Sequence, residues 1–305
     1  VWSLATLIGC LSCAFSLKDK VRLVRVSFAN VMGRLAPCAL LSITVIAVSV
    51  YRQMDKVMVG ALAGMAQNGL YGNAEKITYC LSGFISAIGT VMLPKVSRLT
   101  RQGQTVRVLR HIDLSMELIL CMVSAMAFGV AAVADRFAPL FFGEAFAASG
   151  PLMAALAFTL IAIGFANVIR TQWVLPQGQD RIFIISVSAG AVVNLLANCL
   201  LIPRMQAMGA VVGTLMAEFS VPLVQWLFLR RSLPYRRYLS YAAAYGVIGG
   251  IMLVTARLLG RALPLDGWAG LCLQVLAGAA VYVALCLGWW RLKKKTAILR
   301  LLKRS

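Results

Sequence analysis

The 305-residue chain is 61% hydrophobic and only 13% charged, whereas soluble domains carry about 25% charged residues. This composition excludes a soluble globular protein and indicates an integral membrane protein. The net charge of +20 does not indicate nucleic-acid binding, because the basic residues lie between apolar segments rather than on one soluble surface. Anionic lipid headgroups explain these residues better.

The apolar pattern predicts nine membrane-spanning helices, because a bilayer leaves no water for unpaired backbone groups. The fold class predicted is therefore all-α, a polytopic transmembrane bundle. Between the first two spans, Val21, Val24 and Phe28 fall on one helical face, which predicts an amphipathic helix on the membrane surface. The nine spans cover residues 1–17, 36–62, 73–94, 113–133, 151–174, 182–202, 207–229, 238–259 and 268–290.

Basic residues concentrate in every second connection between these spans and again in the tail 291–305. The positive-inside rule assigns such connections to the cytoplasm. We therefore expect the C-terminus to be cytoplasmic, with the connection around Asn68 and the one around Phe142 on the outer side.

Charged residues interrupt the apolar pattern between the second and third spans. Arg52, Asp55 and Lys56 have the i, i+3, i+4 spacing of one helical face. Each charge costs roughly 2.5–3.5 kcal/mol at a bilayer centre, so we expect them to avoid lipid, with Asp55 paired to Arg52 or Lys56. Two interpretations remain open: a helix end with snorkelling charges, or, together with Lys76, the cationic wall of a transport cavity.

Other polar residues lie within the predicted spans. Glu218, near the middle of the seventh span, is a candidate proton- or cation-coupling site, or alternatively a hydrogen-bonded helix clamp. Asp113 and Glu117 are placed in the first turns of the fourth span, where they would complement the helix dipole. Asn194 and Asn198 share a face and are interpreted as polar helix-packing residues.

No metal site is predicted, because the eight cysteines lie in apolar runs and the one histidine, His111, lies in a basic loop. Small residues also repeat every four positions, which predicts close helix packing, at Ala242, Gly246 and Gly250 and at Gly209 and Gly213.

Three stretches together resemble one transporter family. They are YRQMDKVMVGALAGMAQNGLYGNAEKI with VMLPKVSRL, then GFANVIRTQWVLPQGQDR, and then GAVVNLLANCLLIPRMQAMGAVVGTLMAEF. They are similar to the seventh and eighth, the tenth, and the eleventh and twelfth helices of Wzx-type oligosaccharide flippases. These flippases belong to the multidrug/oligosaccharidyl-lipid/polysaccharide exporter superfamily, whose members are MATE-like.

The resemblance implies a transporter with two six-helix lobes followed by two further helices. Residues 1–17 would then end a helix of the N-terminal lobe, and residues 18–35 would form a cytoplasmic amphipathic linker. The C-terminal six-helix lobe would cover residues 36–230. Residues 231–290 would form the two additional helices, and residues 291–305 the basic cytoplasmic tail. The implied location is a bacterial or archaeal cytoplasmic membrane.

The resemblance also implies a function without enzymatic activity: translocation of a polyprenyl-diphosphate-linked oligosaccharide for surface polysaccharide biosynthesis. Membrane lipid and this glycan are the implied partners, with a glycan polymerase and other export proteins as further candidates. No cofactor is expected beyond coupling to a proton or sodium gradient. The substrate-binding candidates are Arg52, Asp55, Lys56, Lys76 and Arg170. Of these, Arg170 departs from the small residue expected at its position and is alternatively explained by snorkelling.

Several alternatives stay open. A multidrug or cation antiporter and a lipid II flippase belong to the same superfamily, although a drug antiporter is expected to favour an acidic or aromatic cavity. A transport-inactive scaffold of a glycan-export complex is an alternative of another class. A membrane glycan polymerase is disfavoured, because the outer loops are short and poor in Asp, Glu and His.

Overall fold

A computed structural model gives the structure of the chain and describes residues 53–262 and 267–292. All regular secondary structure among these residues is helical, which confirms the predicted all-α class. The predicted first span, the amphipathic linker, most of the second span and Arg52 lie outside the described residues, as does most of the basic tail.

Residues 53–63 are helical and are called α1. The remaining α-helices are α2 (Met65–Arg101), α3 (Thr105–Phe142), α4 (Ser149–Leu156), α5 (Thr159–Ile169), α6 (Asp180–Met205), α7 (Ala207–Leu229), α8 (Tyr235–Ala262) and α9 (Gly267–Leu292). A 3-10 turn at Glu144–Phe146 precedes α4, and a π-helix at Arg170–Val174 continues α5.

Within the described part of the chain, seven helical segments are long and apolar enough to cross a membrane. They correspond to the third to ninth predicted spans, with α4, α5 and the π-helix together forming the fifth. The helices α2 and α3 have 37 and 38 residues and are longer than predicted. The basic residues between the two apolar stretches are largely helical, and the helices also include residues 65–72 and 134–142 at their other ends.

The position of Asp113 and Glu117 differs from the prediction. Helix α3 begins at Thr105, so these carboxylates lie in its third and fourth turns, and its first turn carries no acidic residue. The predicted role in complementing the helix dipole is therefore wrong, because that effect falls off within the first turn. Glu117 is instead fully buried.

The described helices pack around two apolar clusters. One lies mainly between α3, α5, α8 and α9 and includes Met116, Leu160 and Tyr245. The other joins α1, α2, α4 and α7 and includes Tyr71 and Val211. These clusters hold the spans together and leave the polar side chains of α1, α2, α6 and α7 to meet at one point.

Only one of the two small-residue repeats forms a close helix contact. In α7, a Cβ on Gly209 would overlap the backbone of Leu201 in α6, so glycine permits this close approach. In α8, a Cβ on Gly246 or Gly250 would meet nothing within 4 Å in the described structure. Two other glycines of α8 pack closely: Gly249 lies against the Phe128 ring, and Gly260 lies against the Gln274 side chain of α9.

Candidate functional site

Asp55 is a buried carboxylate at the meeting point of four helices. It lies on α1 and is only 6% exposed. Its Oδ2 atom accepts hydrogen bonds of 2.9 Å from the hydroxyls of Tyr71 on α2 and Thr214 on α7. Its Oδ1 atom accepts a 2.6 Å hydrogen bond from Nδ2 of Asn198 on α6. The carboxylate therefore fixes the mutual arrangement of helices that are far apart in sequence.

The amide side chains beside Asp55 retain unused polar atoms. Nδ2 of Asn198 also lies 3.2 Å from Oδ1 of Asn194, one turn earlier on α6. Both asparagines are buried, and neither Nδ2 of Asn194 nor Oδ1 of Asn198 has a hydrogen-bond partner. The Thr214 hydroxyl lies 2.9 Å from the carbonyl oxygen of Ala210. The site thus gathers several neutral oxygens around one carboxylate, a donor set that suits hard cations.

Lys56 forms an ion pair with a residue that the sequence analysis did not assign to it. Its Nζ atom lies 2.6 Å from Oε2 of Glu75 on α2, and the two side chains are 36% and 27% exposed. The predicted pairing of Lys56 with Asp55 is absent from the described ion pairs. Adjacent residues on a helix point in different directions, so Lys56 and Asp55 reach different partners.

Two polar contacts therefore connect α1 to α2 side by side. Tyr71 and Glu75 lie one helical turn apart on α2 and bind the adjacent residues Asp55 and Lys56 of α1. The first contact is buried and the second is half-exposed. Both lie roughly 10–17 Å along the helices from the turn at Gly64, at 1.5 Å per residue.

The other predicted site residues occupy separate positions. Lys76 is exposed and donates a 3.2 Å hydrogen bond to Oδ1 of Asn73. Arg170 begins the π-helix, and its guanidinium carbon lies 5.2 Å from the centre of the Phe183 ring on α6. Glu218 is partly buried on α7, one helical turn beyond Thr214.

A second polar cluster joins α3 to α8. The guanidinium of Arg237 forms a 3.3 Å ion pair with Asp113, and the Tyr241 hydroxyl donates a 3.3 Å hydrogen bond to the same carboxylate. One turn further along both helices, the Tyr245 hydroxyl lies 3.4 Å from Oε1 of Glu117. Asp113 and Glu117 are four residues apart, and so are Tyr241 and Tyr245. This matching i, i+4 spacing is the signal in the sequence that points to the cluster.

Helix α9 completes this second cluster. The indole Nε1 of Trp290 donates a 3.0 Å hydrogen bond to the Tyr245 hydroxyl. Nearby, the Tyr282 hydroxyl donates a 2.6 Å hydrogen bond to the carbonyl oxygen of Cys121 on α3. The Sγ atoms of Cys121 and Cys286 are 4.0 Å apart. These contacts attach α8 and α9 to the remaining spans through α3.

Comparisons with known proteins agree on one class of transporter. The family model described as "Lipid II flippase MurJ" matches residues 3–263. A curated relative named "Putative O-antigen transporter", from Shigella dysenteriae, is 24% identical over 178 residues. That match covers 58% of this chain and 44% of the relative.

A solved structure has the same fold. The structure titled "Lipid II flippase MurJ, inward closed conformation" superposes with a TM-score of 0.74 at 16% sequence identity. The match covers 93% of this chain and 60% of the solved chain. The chain therefore spans less than two thirds of the length of either protein.

Proposed function

We propose that this chain, which belongs to the lipid II flippase MurJ family, takes part in moving a polyprenyl-diphosphate-linked saccharide across the cytoplasmic membrane. The match of the family model to residues 3–263 is the observation that carries the proposal. The chain is a multi-pass membrane protein. Its basic tail is proposed to lie in the cytoplasm, as the positive-inside rule indicates. No enzymatic activity is proposed.

The chemistry of such a cargo is compatible with the site. A polyprenyl-diphosphate-linked glycan combines an anionic diphosphate with a polar glycan and a lipid tail. The half-exposed Lys56 on α1 and the exposed Lys76 on α2 supply positive charge for the diphosphate. Charged groups on membrane-spanning helices favour a water-filled cavity over lipid, so both lysines support a wet path for the polar headgroup. Arg52 and Arg170 remain further candidates for this contact.

Two cargoes share this chemistry. Lipid II is favoured by the family model, whereas an O-antigen-type oligosaccharide is favoured by the curated relative. Expression of the protein in two strains separates them, one depleted of its lipid II flippase and one lacking its O-antigen flippase. We expect growth to be restored in the first strain. Restored surface O-antigen in the second strain alone would favour the oligosaccharide, and rescue of neither strain by membrane-inserted protein would contradict the proposal.

Coupling to a proton or sodium gradient is proposed to act through Asp55, with Glu218 as the alternative site. No ion pair joins Asp55 to a basic side chain of residues 53–262 or 267–292. A carboxylate buried without a cation is expensive inside a membrane protein, and a proton or a small cation would reduce that cost. The Thr214 hydroxyl lies 2.9 Å from the carboxylate, and Oδ1 of Asn194 contacts the same Asn198 amide nitrogen that binds Asp55, so these two oxygens are the candidates to help hold the ion.

A further inference from the structure

We infer that Glu75 is a built-in competitor for Lys56, which the diphosphate of the cargo displaces when it binds. The inference rests on the proposed function and adds a role for a residue that the sequence analysis left without one. In the described structure, Oε2 of Glu75 forms an ion pair with Nζ of Lys56 at a distance of 2.6 Å. An anion that binds this ammonium therefore competes with Glu75 for its charge.

The accessibility of the ion pair makes such an exchange feasible. The side chains of Lys56 and Glu75 are 36% and 27% exposed, in contrast to Asp55, which is enclosed by three hydrogen-bonding partners. A lysine ammonium is a point charge on a flexible stem, so it can follow a new partner without a change in the backbone. Its position on α1 is fixed independently, because the neighbouring Asp55 is anchored to α2, α6 and α7.

The competition sets a threshold of affinity at Lys56. A diphosphate has more negative charge and more acceptor oxygens than one carboxylate, so it can outcompete Glu75 for Lys56. A singly charged phosphodiester headgroup, such as that of an ordinary membrane phospholipid, has less advantage over the carboxylate. Glu75 weakens the binding of both anions by the same factor, so it keeps bulk lipid from occupying Lys56 while the more tightly bound diphosphate can still displace it. After transport, the same carboxylate recaptures Lys56 and helps to release the cargo.

Binding of geranyl diphosphate and of methyl geranyl monophosphate, a singly charged phosphodiester, to the purified full chain in nanodiscs tests this role. We expect Glu75→Gln to tighten the binding of both probes by a similar factor of up to about fivefold, the scale of a partly exposed ion pair. The ratio of the two affinities should stay close to that of the wild type, because one competitor weakens both ligands alike. Lys56→Gln should weaken binding of both probes, and the double variant should behave like Lys56→Gln. Glu144→Gln, which removes an exposed carboxylate on the 3-10 turn, is the matched control.

The outcomes separate the inference from the function on which it rests. Unchanged affinities for both probes in a Glu75→Gln protein of normal melting temperature would overturn the competitor role, while the loss of binding in Lys56→Gln would still support the anion site. A double variant that kept the tighter binding of Glu75→Gln would also overturn the inference, because Glu75 would then not act through Lys56. Equal binding by the wild type and Lys56→Gln would remove Lys56 as an anion site and overturn the inference, while rescue of either flippase-deficient strain would still support the proposed function.

Discussion

Nδ2 of Asn198 donates a 2.6 Å hydrogen bond to Oδ1 of Asp55, a residue 143 positions earlier in the chain. This contact ties α6 to α1, and the hydroxyls of Tyr71 and Thr214 tie α2 and α7 to the same carboxylate. A single acidic residue is therefore the common acceptor of three helices. Hydrogen bonds to a charged acceptor contribute about 1.5–3 kcal/mol each, so the cluster is a substantial part of the local stability.

Replacement of Asp55 tests how much its hydrogen bonds contribute to the stability of the protein. Asp55→Ala removes the acceptor of three donors and leaves buried polar groups unpaired, so we expect a loss of about 1–3 kcal/mol in stability and a lower protein level in the membrane. Thermal unfolding in detergent measures this loss. Asp135→Asn, at an exposed carboxylate on α3, is the control and should unfold at the wild-type temperature. A stable Asp55→Ala protein would show that the hydrogen bonds contribute little net energy.

The attachment of α8 and α9 to α3 is tested at Tyr245. Tyr245→Phe removes the hydroxyl that contacts Glu117 and accepts from Trp290, and we expect a loss of about 1 kcal/mol in stability. Tyr238→Phe is a matched control, because the Tyr238 hydroxyl is buried without a hydrogen-bond partner and its removal should be neutral or stabilising. Equal melting temperatures of the two variants would argue against a stabilising role for the Glu117 cluster.

The seven spans within the described residues were predictable from the sequence, because apolar length and turn residues decide where membrane helices lie. The seventh predicted span, 207–229, has the bounds observed for α7. The start of α3 was not predictable from apolar length, because the basic stretch 105–112 continues the helix beyond the apolar residues. Asp113 and Glu117 were misinterpreted for that reason.

The contacts of the site were less predictable than its members. Asp55, Lys56, Asn194 and Asn198 were identified because polar residues in apolar spans are expensive. The choice of Glu75 for Lys56 and of Asn198 for Asp55 depends on how helices rotate against each other, which one helical pattern does not specify. The same limit explains why the repeat at Gly246 did not mark the packed face of α8.

Cross-linking tests the placement of α9 against α3. The Sγ atoms of Cys121 and Cys286 are 4.0 Å apart, so a membrane-permeant oxidant such as iodine should join them with little movement. A protease site inserted at Ser232 lets the link be detected, since the two fragments then stay together on a non-reducing gel. Cys286→Ala should abolish the link. A link that persisted in this variant would come from other cysteines and would contradict the assigned contact.

Cysteine accessibility tests the proposed orientation. The positive-inside rule places the α2–α3 connection in the cytoplasm and the connection after α3 outside. In intact cells, Ala147→Cys should react with an impermeant thiol reagent, whereas Gln104→Cys should react only after lysis. The chain with neither substitution gives the background from its own cysteines. Labelling of Gln104→Cys from outside would reverse the orientation and move the basic tail out of the cytoplasm.

The coupling site is tested by two isosteric changes on neighbouring helices. Asp55→Asn keeps the size of the side chain but removes the negative charge that would hold a proton or a sodium ion. If Asp55 is the coupling site, transport in proteoliposomes should lose its dependence on the ion gradient. Its rate under a full gradient should fall about 5–150-fold below wild type, as expected when a coupling free energy of about 1–3 kcal/mol is lost. Glu218→Gln should keep its gradient dependence.

The two variants predict opposite results for the two candidate sites, which makes the comparison decisive. Loss of gradient dependence in Glu218→Gln but not in Asp55→Asn would assign coupling to α7 and leave Asp55 as a structural acceptor. Imposing sodium and proton gradients separately identifies the ion.

Asn198→Asp tests whether the cluster around Asp55 holds a cation. The Asn198 side chain contacts Asp55 at 2.6 Å, so this change places a second carboxylate directly beside the first. If the oxygens of this cluster hold a sodium ion, the second carboxylate should strengthen sodium binding. Sodium affinity that did not change in Asn198→Asp would argue for proton coupling or against a cation at this cluster.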